Sequence, residues 1–200
     1  MVLGAVLVLA ALSLFLWNQW ENHKAGESAD KILSRIMEQI ETPRTIIETS
    51  ETIQEPEEET DYPDLYDPAM TEVEIDGYAY IGYLSIPALE LELPVMSEWD
   101  YIRLKIAPCH YAGSTKTDDL VICAHNYDRH FGPIRNLAFG DTVYFTDMDG
   151  KVWKYEVMAV DVLAPTDVED MTAGGYDLTL FTCTYGGKTR VTVRCERAEK

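Results

Sequence analysis

From Tyr80 onward the chain is a succession of short β-type runs punctuated by closely spaced turn signals, and this spacing constrains the fold more than any other feature. Tyr80 to Ile86 reads as a strand stopped by Pro87, and Leu91 to Val95 as a second. Asp119 to His125 reads as a buried strand, apolar without a break from Leu120 to Ala124, with its histidine at the exit. Asp141 to Phe145 and Val152 to Val162 flank Asp147-Met148-Asp149-Gly150, a hairpin turn in which Gly150 tolerates positive φ. Asp177 to Cys183 and Thr189 to Cys195 are joined through Gly186-Gly187, and Phe131 to Phe139 has room for one short helix. The pattern predicts a mostly β fold: a single closed or nearly closed β-barrel of seven to eight strands with short helices.

The chain ahead of these runs has a different character. Met1 to Trp17 is apolar and uncharged, and Trp17 and Trp20 close the run. At about 1.5 Å per residue it matches a hydrocarbon core of roughly 30 Å, and tryptophans at one end fit the interfacial belt. A cleaved signal peptide needs a basic leading region and a small-residue cleavage site, and neither is visible. We therefore expect a transmembrane anchor over 1–20. Ile32, Leu33, Ile36, Met37 and Ile40 lie on one helical face, with Ser28 as N-cap and Pro43 beyond the end, which predicts a stem helix over 21–42. Ten acids and one base fall between Glu41 and Asp67 without apolar periodicity. Such a stretch buries too little to offset its ordering entropy, so 43–76 is expected to be a disordered acidic tether, with the barrel over 77–200.

Composition narrows the partners. Sixteen Lys and Arg against 35 Asp and Glu give a net charge of −19, which argues against nucleic acid or an anionic membrane surface. The four cysteines, Cys109, Cys123, Cys183 and Cys195, include no CxxC pair or zinc-type spacing. Asp118-Asp119 with Asp167, Glu169 and Asp170 offers carboxylates for calcium, against the plainer reading of a solvated acidic surface. No other cofactor is implied.

Three chemically unlike residues fall at or beside strand ends: His125, Cys183 and Arg190. A thiol attacks only as thiolate, a form that neighbouring positive charge favours. An imidazole can give a proton to a departing amine, and an arginine keeps its charge beside an oxyanion. Alone, such a trio arises by chance. His130 competes as proton donor, Arg194 competes with Arg190, and His110 lies in loop-like surroundings. Cys123 shares the strand face of His125 and reads as a buried hydrophobe; Cys109 and Cys195 read as structural.

The local sequence weighs in favour of the trio. Thr179-Leu180-Phe181-Thr182-Cys183, followed by Arg190, resembles the TLxTC signature of the sortases and their downstream arginine. Val191 to Arg194 is similar to the family's last strand, Leu120 to His125 to its histidine strand, and Tyr83 to Pro87 with Leu93 to Val95 to its opening strands. The resemblance covers about Tyr80 to Lys200 and implies a sortase-like barrel. It also implies a membrane-anchored, extracellular cysteine transpeptidase with Cys183, His125 and Arg190 as its catalytic residues. The implied substrate is an LPxTG-like sorting signal on a surface protein or pilin; the acyl acceptor is an amine from the cell wall or from a protein lysine. The absence of a long helical insertion between Ala164 and Tyr176, and the short C-terminus, make class A or D a better match than B or C. Asp67-Pro68 is similar to a lid motif, but Ala69 replaces its aromatic residue. A peptidase or amidase using water as acceptor, and a non-enzymatic binding barrel with Cys183 in its core, stay open at this point.

Overall fold

The computed structural model describes residues 2–41, 69–172 and 174–198. Among these residues nine strands and two α-helices follow one another: α1 (Val2–Glu41), β1 (Val73–Ile75), β2 (Tyr78–Ile86), β3 (Leu91–Met96), β4 (Cys109–Ala112), β5 (Leu120–Ala124), β6 (Thr142–Asp147), β7 (Val152–Leu163), α2 (Val168–Thr172), β8 (Leu178–Cys183) and β9 (Arg190–Arg197). The strand order is β1-β2-β3-β4-β5-β8-β9-β7-β6, and pairing of β6 back onto β2 closes β2 to β9 into an eight-stranded barrel. Strand β1 stands outside the ring, paired to the first half of β2 while β6 takes the second half. The change of partner falls at Gly82, where the β2–β3 register slips. Gly82 has φ 148°, and a Cβ there would lie 2.0 Å from the Thr146 carbonyl oxygen, so only glycine lets the two strands meet.

Alternation along the strands separates two apolar layers. Leu84, Ile86, Leu120, Ile122, Phe145, Tyr155, Leu180 and Val193 fill the barrel interior. Val121, Cys123 and Phe181 point outward, yet they too are buried, in a second cluster with Tyr80, Met96, Cys109, Leu104, and Ile32 and Ile36 of α1. Strand β5 is thus covered on both faces, which explains its uninterrupted apolar run.

The strands expected from sequence lie within a few residues of those observed. Two are additional: β4, four residues behind Pro108, and β1, which moves the start of the folded part ahead of the expected Gly77. The expected short helix in 131–139 is a 3₁₀ turn, Gly132–Asn136. Helix α1 differs more. Ser28 is not an N-cap but lies inside one uninterrupted helix, its hydroxyl donating to the Lys24 carbonyl at 3.0 Å. No proline interrupts 2–41, and the small residues Ala25, Gly26 and Ala29 allow the helix close to the barrel, where Ala25, Ala29, Ile32, Leu33 and Ile36 are buried.

Helix α1 runs lengthwise along the barrel. Near its middle, Asn22 donates to Asp128 at 3.0 Å and Asp30 pairs with Arg129 at 2.5 Å, both in the loop after β5. Further on, Arg35 pairs with Asp76 at 2.5 Å in the β1–β2 turn, and the Ile40 side chain lies over Gly150 in the β6–β7 hairpin. Those two turns sit at the end of the barrel opposite the exit of β5. Asp67-Pro68, considered above as a lid motif, and most of the acidic segment lie outside the described residues. The two ends of that segment, α1 and β1, belong to one packed unit.

Candidate active site

Strands β5 and β8 are parallel, with Ala124 opposite Thr182 as their last pair. One residue further, His125 and Cys183 emerge side by side on the outer face. Strands β8 and β9 are antiparallel, and Cys183 faces Arg190 directly in their register. The three predicted residues thus come from adjacent strand ends and line one cleft of about 150 Å³. Thr182 fixes this end: its buried hydroxyl donates to the Ala124 carbonyl at 2.8 Å, tying together the residues just before the histidine and the cysteine. The loop that follows is braced by the Thr184 and Thr189 hydroxyls at 2.9 Å.

Burial and the nearby Lys105 ammonium lower the pKa of His125, opposed by the carboxylate of Glu21 on α1. Its Nε2 is shielded from solvent and has no hydrogen-bond partner among the described residues. Arg190 donates through Nη1 to the carbonyls of Gly187 at 3.1 Å and Thr189 at 3.2 Å, which hold its guanidinium at the mouth. Cys183 is half-buried, whereas the other three thiols are buried and all four are free. Burial pushes Cys109 and Cys195 up to about 12 and Cys123 higher still, so none of these ionises readily.

The competing residues have other work. His130 is fully buried under α1, against the Ala25 backbone, and its pKa falls to about 4. His110 bridges the carbonyls of Ser97 at 3.1 Å and Gly113 at 2.7 Å. Arg194 is buried and donates to the Met171 and Asp170 carbonyls and the Thr179 hydroxyl, pinning α2 to β8. The calcium set is not brought together. Asp118, at the start of β5, pairs with Arg197 at 2.5 Å. Asp167 accepts from the Ala164 amide beside α2, near the other end of β5. No group of three or more His, Cys, Asp or Glu among the described residues is placed to hold a metal.

Sequence reading missed the cleft walls. Trp99, Tyr101 and Leu104 come from the crossover between β3 and β4, and Pro165, Val168 and Met171 from the segment around α2. Trp99, Tyr111 and Phe181 form a ring ladder with centroids 5.5 Å and 5.1 Å apart. The available signal was Trp99-Asp100-Tyr101-Ile102, two aromatics in a segment with no strand period.

The chain as a whole is similar to known proteins. The family model for the sortase domain matches residues 84–198, more than half of the chain, so the chain belongs to the sortase family. Among solved structures it is similar to sortase A from Corynebacterium diphtheriae (26% identity, TM-score 0.56, covering 62% of each chain). It is also similar to sortase C1 from Streptococcus suis (30%, TM-score 0.53, 60% of this chain and 74% of that one). Sortase C from Streptococcus pneumoniae is a third (28%, TM-score 0.55, 60% and 70%). Relatives named A and C both occur, so these matches define the family without a class. A comparison with curated proteins gives no match.

Proposed function

We propose that this chain is a membrane-anchored cysteine transpeptidase acting outside the cell on LPxTG-like sorting signals of surface proteins or pilins. The observation that carries the reading is the convergence of Cys183, His125 and Arg190 on one cleft, with Cys183 the least buried of the four thiols. The Cys183 thiolate attacks the carbonyl carbon of the scissile bond, and the Arg190 guanidinium stabilises the oxyanion. As the carbon–nitrogen bond breaks, the imidazolium of His125 gives its proton to the departing amine. The depressed basicity of His125 suits this step, because it makes the imidazolium a stronger acid. A second amine, from a cell-wall precursor or a lysine, attacks the thioacyl carbon and gives its proton to His125 as the carbon–sulfur bond breaks, which restores the imidazolium and the Cys183 thiolate.

The test is to incubate the full chain with labelled sorting-signal peptides and several amines, and to read the products by mass. Amine-dependent transfer products and a peptide adduct on Cys183, both lost in Cys183→Ala, are expected. Water as the sole acceptor would make the chain a peptidase. An unmodified Cys183 would remove the mechanism.

A further inference from the structure

The direction in which α1 leaves the barrel fixes which end of the barrel faces the membrane. The helix spans about 22 Å from Ala25 to Ile40. Its contacts run from the loop that follows His125 (Asn22 to Asp128, Asp30 to Arg129) to the opposite hairpin (Ile40 over Gly150). The apolar half continues the same helix beyond the first of these contacts. Val6 to Trp20 is exposed throughout, and no charge precedes Glu21. A bilayer around this half therefore ends at Trp17 to Glu21, which is the level of His125. The charge of Glu21 acts on both His125 and Tyr127.

The crossover between β3 and β4 stands at the same level. Ile102, Lys105 and Ile106 share a hollow of about 240 Å³ with Trp20, Glu21, Lys24 and Tyr127. One turn of this crossover thus touches the helix, while its neighbours Trp99, Tyr101 and Leu104 line the cleft. Tyr101 is 76% exposed and Ile102 is 70% exposed. Two large apolar side chains at a loop tip are costly in water but suited to the headgroup boundary, beside tryptophans that favour it. Lys24 and Lys105 lie where lipid phosphates would be, and neither makes an ion pair among the described residues.

We propose that α1 seats the barrel with its active-site end against the bilayer, and that Tyr101 and Ile102 enter the interfacial layer beside Trp17 and Trp20. The cleft then opens into the first layer outside the lipid, and substrates reach it along the membrane plane. This rests on the reading of the site given above only for what the cleft does, not for where it points.

The experiment uses the full chain in lipid nanodiscs of mixed zwitterionic and anionic phospholipid. In a Cys183→Ala background, an environment-sensitive fluorophore is attached at Ile102→Cys, Trp20→Cys or Lys151→Cys in turn, the native thiols left being buried. Shallow nitroxide lipids should quench the label at 102 several-fold, as they do at 20, and leave the label at 151 in the far hairpin nearly untouched. Quenching at 151 equal to that at 102, or none at 102 while 20 is quenched, overturns the orientation. An unquenched label at 20 removes the span itself and the proposal with it. A second readout keeps the two readings apart: thiol labelling of Cys183 in the unmutated chain tests the site alone. Quenching at 102 with an inert Cys183 would keep the orientation and lose the mechanism.

Discussion

Thr182 donates its buried hydroxyl to the carbonyl of Ala124 at 2.8 Å, and each of these residues immediately precedes one member of the Cys183–His125 pair. The bond sets the spacing of the two strand ends. Thr182→Val keeps the shape and removes the donor, so the buried carbonyl loses this hydrogen bond, at a cost of about 1–3 kcal/mol. We expect a modest fall in melting temperature with a larger fall in kcat than rise in KM, and recovery in Thr182→Ser. An unchanged kcat would mean that the bond holds the sheet and not the pair.

Arg190 and Arg194 share a strand face and separate by environment. Arg190 is held at the cleft mouth by two carbonyls, whereas Arg194 is enclosed by Met171, Asp170 and Thr179. Arg190→Lys keeps the charge but loses the planar fork, and should lose on the order of 10²–10³ in rate with little change in stability. Arg194→Lys should do the reverse, lowering the melting temperature more than the rate per folded molecule. Chemical denaturation alongside peptide cleavage reads both.

Much of this site was legible in advance because it sits on regular strands. The apolar run ending at His125, and the runs ending at Cys183 and beginning beside Arg190, gave the strand ends from apolar patterning and turn signals. The walls were not legible. Trp99, Tyr101 and Leu104 reach the cleft through a crossover between parallel strands, a connection whose path depends on tertiary packing and leaves no period in the sequence. The docking of α1 was hidden for a related reason. Ile32 and Ile36 mark an apolar face, but the partners that bury it, Tyr80 and Met96, lie far along the chain. Strand β1 escaped because three residues are too short for alternation to register.

The neighbours of His125 give a pH signature. Its pKa is lowered by burial and by Lys105, and raised by Glu21. If the protonated imidazole is the donor, activity falls as pH rises through its pKa. Lys105→Met removes a repelling charge and should move that limb to higher pH, while Glu21→Gln should move it to lower pH. Opposite displacements of the pH–rate profile are the check, and two immobile limbs would mean that another group supplies the proton.

His130 predicts how stability responds to acid. It is fully buried, neither ring nitrogen completes a hydrogen bond among the described residues, and its pKa falls to about 4 because burial disfavours the cation, with His125 and Arg129 adding repulsion and the Ala25 backbone opposing. The unfolded chain takes up this proton near pH 6.5, so folded and unfolded states bind it equally above that value. Between 6.5 and 4 the unfolded state binds more, and stability falls by on the order of 3 kcal/mol before levelling. Melting temperatures of the wild type and of His130→Phe, compared across this window, should converge toward neutral pH and diverge toward pH 4.5.

Helix α1 is expected to be structural as well as an anchor. Ile32 and Ile36 cover Ile75, Tyr80 and Met96, and Ala29 joins the barrel's main core. Burying the Ile32, Leu33 and Ile36 side chains stabilises the unit by roughly 1.5–3 kcal/mol each. The ion pairs Asp30–Arg129 and Arg35–Asp76 are exposed and add little. A chain starting at residue 69 would therefore expose an apolar stripe on β2 and β3, and should melt well below the full chain and associate in solution. Shortening the acidic link between residues 42 and 68 while keeping α1 should change melting little, provided the remainder still spans the gap. If α1 were only a stem, removing it would leave the melting temperature unchanged. The Ile36→Asp substitution separates the two without truncation: it keeps helix and anchor, buries a charge at the contact, and should reproduce most of the loss.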